Sequence, residues 1–518
     1  MSAANILCTG SWKYRVATAA QIANESCQSH RGFPIAASHS LMLGFDGPDD
    51  PYHPLNWPFS KKVLTTVLYG LTTCWITFAT AVYSAAIPKI AEDFHINTET
   101  ATAGVSLMVF GFGLGPLIWA PLSEMFGRKW SVRAPYFVAA VFSFGTATAK
   151  DIQTILITRF FAGLFGSAPV TNTGGAMADI WPPQHRGNAI VAYGITLVGG
   201  PTFGPLIGGA ISQSYLGWRW TEYPTGIMMM AQFMLDVLLV DESYTPVLLV
   251  YKARRLRHEG GNWALNAKHE EWNVSFKEMY QKYLIRPFQM LGTPICFLMS
   301  IYASFVYGIL YANLESFMIE YQEIRHWGPV VGSVPFIALM VGILFAGAAN
   351  VYNNTYYLKR FRENGNKAVP EARLPPMMIG GFMFTGGLFL FGCKPRDPSL
   401  TAPFPYTDMA PGTSVEHVNS YWPSIIGIAL TGFGFTCIFQ AALNYLVDTF
   451  TRFSASAVAA STFMRSIFAG AFPLFVFPMY HALEVFGCFA AVLRPVPFLF
   501  FAWGRRIRAR GQWSKPSV

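Results

Sequence analysis

Long apolar runs recur along most of the chain, each about as long as a bilayer crossing requires, roughly 20 residues at 1.5 Å rise. They fall near 63–88, 101–122, 134–149, 152–173, 188–213, 223–240, 292–317, 329–349, 376–393, 423–445, 456–478 and 482–504. Backbone amides in hydrocarbon must find partners within their own segment, so spans of this kind are helices. Composition agrees, since only 13% of residues are charged, where a soluble domain is nearer about 25%. The expected fold class is an all-α polytopic membrane protein with about twelve transmembrane helices.

Lysine and arginine give the orientation, because they collect on the cytosolic side of short connections. One set of connections carries Lys61 and Lys62, then Arg128, Lys129 and Arg133, then Arg186. It continues with the basic stretch from Lys252 to Arg286, the cluster from Lys359 to Arg373, then Arg452, and Arg505 to Arg510. The alternate connections hold only Lys89, Lys150, Arg219, Arg325, Lys394 and Arg396. Both chain ends are therefore expected in the cytosol. The formal charge of +9 follows from topology, and no nucleic-acid partner is needed to explain it.

The resulting organisation is a cytosolic N-terminal tail over 1–60, six spans over 61–241, a cytosolic central loop over 242–290, six spans over 291–504 and a cytosolic tail over 505–518. Residues 1–50 contain no apolar core of signal-peptide length. The central loop alternates bases and acids around Trp263 and Trp272, a pattern of short amphipathic helices along a membrane face. Gly163 precedes Asp179 by the same offset as Gly432 precedes Asp448, each on the fourth span of its half. That match is the mark of a duplicated six-span unit.

Three short stretches carry further information. APLSEMFGRK (Ala120–Lys129) sets Ser123, Glu124, Gly127, Arg128 and Lys129 where span two leaves the membrane on the basic side. A carboxylate and nearby arginine at that boundary can pair and hold helices together; an ordinary interfacial turn is the plain alternative. Arg159 lies inside span four, where a charge is costly and usually faces the bundle interior. GGPTFGPLIGG (Gly199–Gly209) places Gly200, Gly204, Pro205, Gly208 and Gly209 on span five, small residues for close helix approach and a proline to bend it. GFGLG (Gly111–Gly115) matches a dinucleotide loop superficially, but it lies within span two, and close helix packing is the better reading.

These stretches resemble the major facilitator superfamily, and in particular fungal twelve-span drug:proton antiporters of the multidrug, polyamine and toxin efflux type. Leu122, Ser123, Gly127, Arg128 and Lys129 match the superfamily's loop motif, with Ala120, Glu124 and Met125 departing from it. RFFAGLFGSAP (Arg159–Pro169) and the span-five glycines match two further motifs, the second being the antiporter motif. HPLNWP, GGAMADIWPPQHRGNA, GWRWTEY, DESYTPVLLVYKARRLR and RSIFAGAFPLF extend the likeness from about Asp46 to the last span. The resemblance implies the major facilitator fold, two pseudo-symmetric six-helix bundles. It also implies proton-coupled export of small amphipathic compounds by alternating access, with a latch involving Asp179 and Arg186.

On that reading the chain works in a bilayer on a small-molecule substrate and protons: a proton gradient supplies the energy, no cofactor or metal is required, and the carrier is expected as a monomer in the plasma membrane. Proton coupling needs a titrating group within the bundle, and Arg159, Glu222, Asp236 and Glu315 are the candidates, Asp236 lying deeper in span six than Glu222. Substrate would bind near the midplane between the halves, where span seven offers Tyr302, Phe305, Tyr307 and Tyr311. A polyamine or nutrient carrier of the same superfamily is the alternative, although DESYTP (Asp241–Pro246) departs from the sugar-carrier pattern. A membrane enzyme would need clustered His, Asp or Cys, and the ten histidines and seven cysteines are dispersed; a non-transporting sensor remains a separate class. The last span is irregular, with Arg494 near its middle.

Overall fold

The computed structural model describes residues 41–47, 49–50, 52–260, 263, 265–270, 285–365, 367–392, 422–450, 454–475, 490, 492 and 495–510. They fall into two compact units, a large one drawn from Pro54–Tyr244 and Val274–Val518 and a small one drawn from Met1–His53 and Thr245–Asn273.

In the large unit the first crossing is α1 (Phe59–Val82), a tight turn at Tyr83–Ala86 and α2 (Ile87–Asp93). Then follow α3 (Thr98–Phe126), α4 (Arg128–Ala147), α5 (Ile152–Ile180), α6 (Pro183–Gln213) and α7 (Arg219–Leu239). Helix α8 (Thr245–Gly260) belongs to the small unit. The second half holds α9 (Arg286–Leu291), α10 (Pro294–Met318), α11 (Pro329–Ser333), α12 (Pro335–Glu363), α13 (Pro375–Gly392), α14 (Trp422–Thr449), α15 (Ser454–Ala471) and α16 (Val496–Arg510). Among the described residues nine helices are long and apolar enough to cross a membrane. Helices α4 and α7 have 20 and 21 residues, about 30 Å, and fall where spans three and six are expected. Arg494 and part of span twelve lie outside the described residues.

Each predicted span therefore has its helix where it is described, extended at the ends because capping residues and amphipathic turns prolong helices beyond their apolar core. Asp151 caps α5 by accepting from the Thr154 backbone N–H at 2.7 Å, as an N-cap should. Threonines along α1 turn their hydroxyls onto carbonyls one turn back, Thr65 on Lys61 and Thr73 on Tyr69 among them, so buried polar groups are satisfied within the helix. Large apolar side chains such as Ile157, Leu238 and Phe345 point outward, as they should where the surroundings are lipid.

The two halves repeat one another. Helix α3 packs on α5, α1 on α6 and α4 on α5; their counterparts α12 and α14, α10 and α15, α13 and α14 pack likewise. Gly163 approaches the Met108 carbonyl of α3, and Gly432 approaches the Leu339 carbonyl of α12, so the offset seen in the sequence marks the same backbone contact twice. Gly111 and Gly342 complete these contacts from the other side, which settles GFGLG as helix packing. The halves meet where α3 packs on α15 and α6 on α12.

In the small unit, Leu41–Met42 pairs in parallel with Leu265–Asn266, and Leu43 packs with Leu249, Val250, Ala253 and Ala267. The Lys252 ammonium reaches Asp46 at 2.7 Å and Asp50 at 2.9 Å. Burial pushes the Asp50 carboxyl up, but the backbone N–H groups of Tyr52 and Asp46 together with Lys252 outweigh it and hold the group below its usual value. Sequence reading treats the tail and the central loop separately, whereas this contact joins them through residues more than 200 positions apart.

Candidate functional site

At the end of the large unit where α1 begins, the Ala120–Lys129 cluster forms a hydrogen-bonded corner. Gly127 ends α3 and starts α4 at φ +90°, a conformation that favours glycine, and an added Cβ would run into the Glu242 carboxylate. Glu242 accepts from the backbone N–H groups of Arg128 at 2.9 Å and Lys129 at 3.1 Å, and also from those of Ser243 and Tyr244. A carboxylate there satisfies the first free amides of α4 and complements its positive end. The Arg128 side chain pairs with Asp179 at 3.1 Å and donates to the Ser123 hydroxyl at 2.7 Å. Its guanidinium also lies 5.0 Å from the Tyr244 ring centre, whose hydroxyl burial pushes up to about 12.

This corrects the expected pairing of Asp179 with Arg186. The direct ion pair is with Arg128; Arg186 stays near enough for its charge to act on Asp179 and donates to the Ala178 carbonyl at 3.0 Å. The missing arginine at Met125 does not leave the corner unlatched, since Glu242 supplies a tie that the ten-residue stretch itself does not contain. Glu124 and Lys129 are both partly buried at this corner. The second half carries the counterpart: Arg373 pairs with Asp448 at 3.1 Å and donates to Asn354 Oδ1 at 3.1 Å. Asn354 then donates to Asn188 Oδ1 on α6 at 3.1 Å, a contact from one half to the other.

Nearer the opposite end, Arg159 is buried and does not snorkel. It pairs with Glu222 at 3.0 Å, both side chains 1% exposed. It also donates to the carbonyls of Ala79 at 2.8 Å, Thr80 at 3.2 Å and Gly104 at 3.3 Å, and it sits 4.3 Å from the Tyr83 ring centre. One arginine thus ties α5 to α7, α1 and α3. On α6, Gly200, Gly204 and Gly208 form a ridge at four-residue spacing that lies on the backbone of α1 between Cys74 and Val82. Pro205 lies within that helix and Gly209 is buried beside it.

Between the halves lies a small cavity. Val109, Phe112 and Pro116 line it from α3, Ser167, Val170 and Thr171 from α5, and Thr77 and Leu197 from α1 and α6. Tyr307 and Tyr311 of α10 complete it, with Thr462, Arg465 and Ser466 of α15. Inter-half contacts flank it on both sides. Thr80 and Tyr311 meet hydroxyl to hydroxyl at 3.3 Å, while Gln440 reaches the Val191 carbonyl at 3.3 Å and Asn354 reaches Asn188.

Of the four expected aromatics, only Tyr307 and Tyr311 reach the cavity. Tyr302 and Phe305 are buried in helix packing, Phe305 edge-on to Phe472 at 5.9 Å. Five residues of helix turn the side chain through about 140°, so a stripe read along the sequence mixes two faces. Glu222, Asp236 and Glu315 are all buried, and none lines the cavity. Asp236 proves to lie in the last turn of α7 rather than deep in the span, accepting from Thr72 at 2.7 Å and Gln232 at 2.9 Å. Glu315 Oε1 has no hydrogen-bond partner among the described residues. Among the described residues no group of His, Cys, Asp and Glu could hold a metal ion. Sequence reading missed Glu242, Asn188, Asn354 and Arg465 as site residues, although DESYTP and RSIFAGAFPLF contain two of them.

Two like helical halves around a small central cavity define a helical carrier architecture. The chain matches the family profile of the Major Facilitator Superfamily over residues 69–474, and it belongs to that superfamily. It is 59% identical to an efflux pump, bik6, of Gibberella fujikuroi, over 92% of this chain and 96% of that protein. It is 38% identical to the multidrug transporter FLU1 of Candida albicans, over 93% of this chain and 77% of that protein. The fold is also that of the E. coli xylose transporter XylE in a partially occluded inward-open conformation, with a TM-score of 0.58 and 15% identity over 86% of this chain and 98% of that one.

Proposed function

We propose that the chain is a proton-coupled exporter that carries small amphipathic compounds across the membrane by alternating access. The observation that carries this reading is the central cavity between the halves, flanked by separate contacts from one half to the other. Breaking the Asn188–Asn354 contact opens one side and breaking Thr80–Tyr311 opens the other, so the two sets can exchange as the halves rock. The efflux and multidrug relatives support export as the direction and small compounds as the cargo. The corner at Arg128, Asp179 and Glu242, with Arg373 and Asp448, lies on the cytosolic side in this reading. The chain ends are cytosolic, the carrier is a monomer of the plasma membrane, and the proton gradient alone drives it.

Glu222 is the carboxylate assigned to the proton. A proton on Glu222 removes the charge partner of Arg159 and leaves that arginine to the carbonyls of Ala79, Thr80 and Gly104. Protonation and helix arrangement are then linked through one residue. Expression in pump-deficient yeast should lower the accumulation of a fluorescent drug, and a protonophore should abolish the effect. Glu222→Gln should lose gradient-driven efflux but keep substrate exchange across vesicles without a gradient. Undiminished gradient-driven efflux in that variant would move the assignment to Asp236 or Glu315, and unchanged accumulation across a broad compound panel would refute export.

A further inference from the structure

Among the described residues of the large unit, the arginines that are buried or partly buried within the helices have partners, with one exception. Arg159 has Glu222, Arg128 has Asp179, Arg373 has Asp448, and Arg133 donates to the carbonyls of Asp236 and Val240. Arg465 is as buried as Arg133, at 6% exposed, yet among the described residues it forms no ion pair and no hydrogen bond, and its Nε is unsatisfied. It stands 11 residues beyond Ser454 on α15, about 16 Å along the helix, near mid-depth. What it touches is aromatic: Cζ lies 4.6 Å from the Tyr307 ring centre and 4.8 Å from that of Phe439.

A charge at that depth is costly, and two rings answer only part of its demand. Ring faces attract the guanidinium as a cation but accept none of its five N–H bonds in the way an anion's oxygens do. Those donors border the central cavity, where Arg465 is the one charged side chain among the lining residues. The rest of the wall is Thr77, Ser167, Thr171, Thr462 and Ser466 hydroxyls, tyrosine and phenylalanine rings and aliphatic groups. Among the described residues no carboxylate lines it.

Building on the export reading above, we propose that Arg465 is the substrate's anion site and that the cargo is a planar aromatic weak acid, a phenolate or carboxylate. Its oxygens accept from the guanidinium, and its rings lie against Tyr307 and Tyr311. Among the described lining residues a polyamine or other cation meets a fixed positive charge with no acid beside it.

Fluorescein and rhodamine 123 share a xanthene ring system and carry opposite charge at neutral pH, so they isolate charge from shape. In sealed inside-out vesicles holding the full chain, half-saturation should come at about tenfold lower concentration for fluorescein, the size expected for one charge-assisted hydrogen bond. Arg465→Gln should abolish that preference, Arg465→Lys should keep part of it, and Arg465→Glu should favour rhodamine 123. A second measurement needs no variant: 1-naphthoate should raise the thermal stability of the wild-type protein, and neutral 1-naphthamide should not. Equal handling of both dyes by the wild type, or equal protection by acid and amide, overturns the inference while export stands. Protection by naphthoate with no dye or drug moved across a broad panel leaves the anion site standing and refutes export.

Discussion

Replacing Gly204 by valine tests whether the α1–α6 contact is as close as the backbone packing requires. A Cβ at Gly204 would lie 2.7 Å from Val82 N and 2.9 Å from the carbonyl carbon and Cβ of Ala81. Carbon reaches its best contact near 3.5–4.0 Å, so the helices would have to part by about 0.8 Å. Overpacking of this kind costs about 1–3 kcal/mol, and valine recovers only a few tenths of that through its helix propensity over glycine. The obstruction is backbone, so no side-chain rotation relieves it. Purified protein held at one elevated temperature and assayed by size exclusion should lose its monodisperse fraction about 5- to 100-fold faster than wild type. Efflux should fall as well, because α6 also carries the contacts to α12. Gly174→Ala is the control, since nothing lies within 4 Å of its Cβ position. A Gly204→Val protein with wild-type half-life and efflux would refute the packing argument.

Two further outcomes follow from the corner and the small unit. Glu242→Ala should remove the cap of α4, costing about 0.5–2 kcal/mol, and shorten the same half-life, while Glu242→Gln should lose less because it keeps an acceptor; equal half-lives for all three proteins would contradict the capping role. Asp50 has a depressed folded-state value, so its contribution is present above the ordinary carboxylate value of 3.8 and is lost as pH falls through the lower one. Asp50→Asn should therefore speed amide exchange over residues 41–50 at neutral pH, with unchanged exchange counting against the Lys252–Asp50 tie.

The spans were legible because the bilayer demands apolar length, a property any window of sequence displays. The internal repeat was legible because Gly163–Asp179 and Gly432–Asp448 each record one helix contact and one ion-paired end. Arg159 stood out as a charge in an apolar run, and its partner Glu222 was on the page without any sign that the two met. The missed residues share a different property. Glu242 caps a helix that starts 114 positions earlier, and Asn188 meets Asn354 across 166, so neither contact leaves a local trace. Arg465 was visible as a letter in RSIFAGAFPLF, but only the packing of α10, α14 and α15 shows that it faces rings and no acid. The span-seven aromatics could have been divided from sequence alone, since Tyr307 and Tyr311 share a helical face that Tyr302 and Phe305 do not.

Locking the contact between the halves tests alternating access most directly. With the seven native cysteines replaced by alanine, cysteines at Asn188 and Asn354 can be joined by a short cleavable bifunctional reagent. The account predicts that cross-linked carrier in sealed vesicles transports no substrate and that reduction of the linker restores the original rate. Cross-linked protein that transports at the unlinked rate would contradict it.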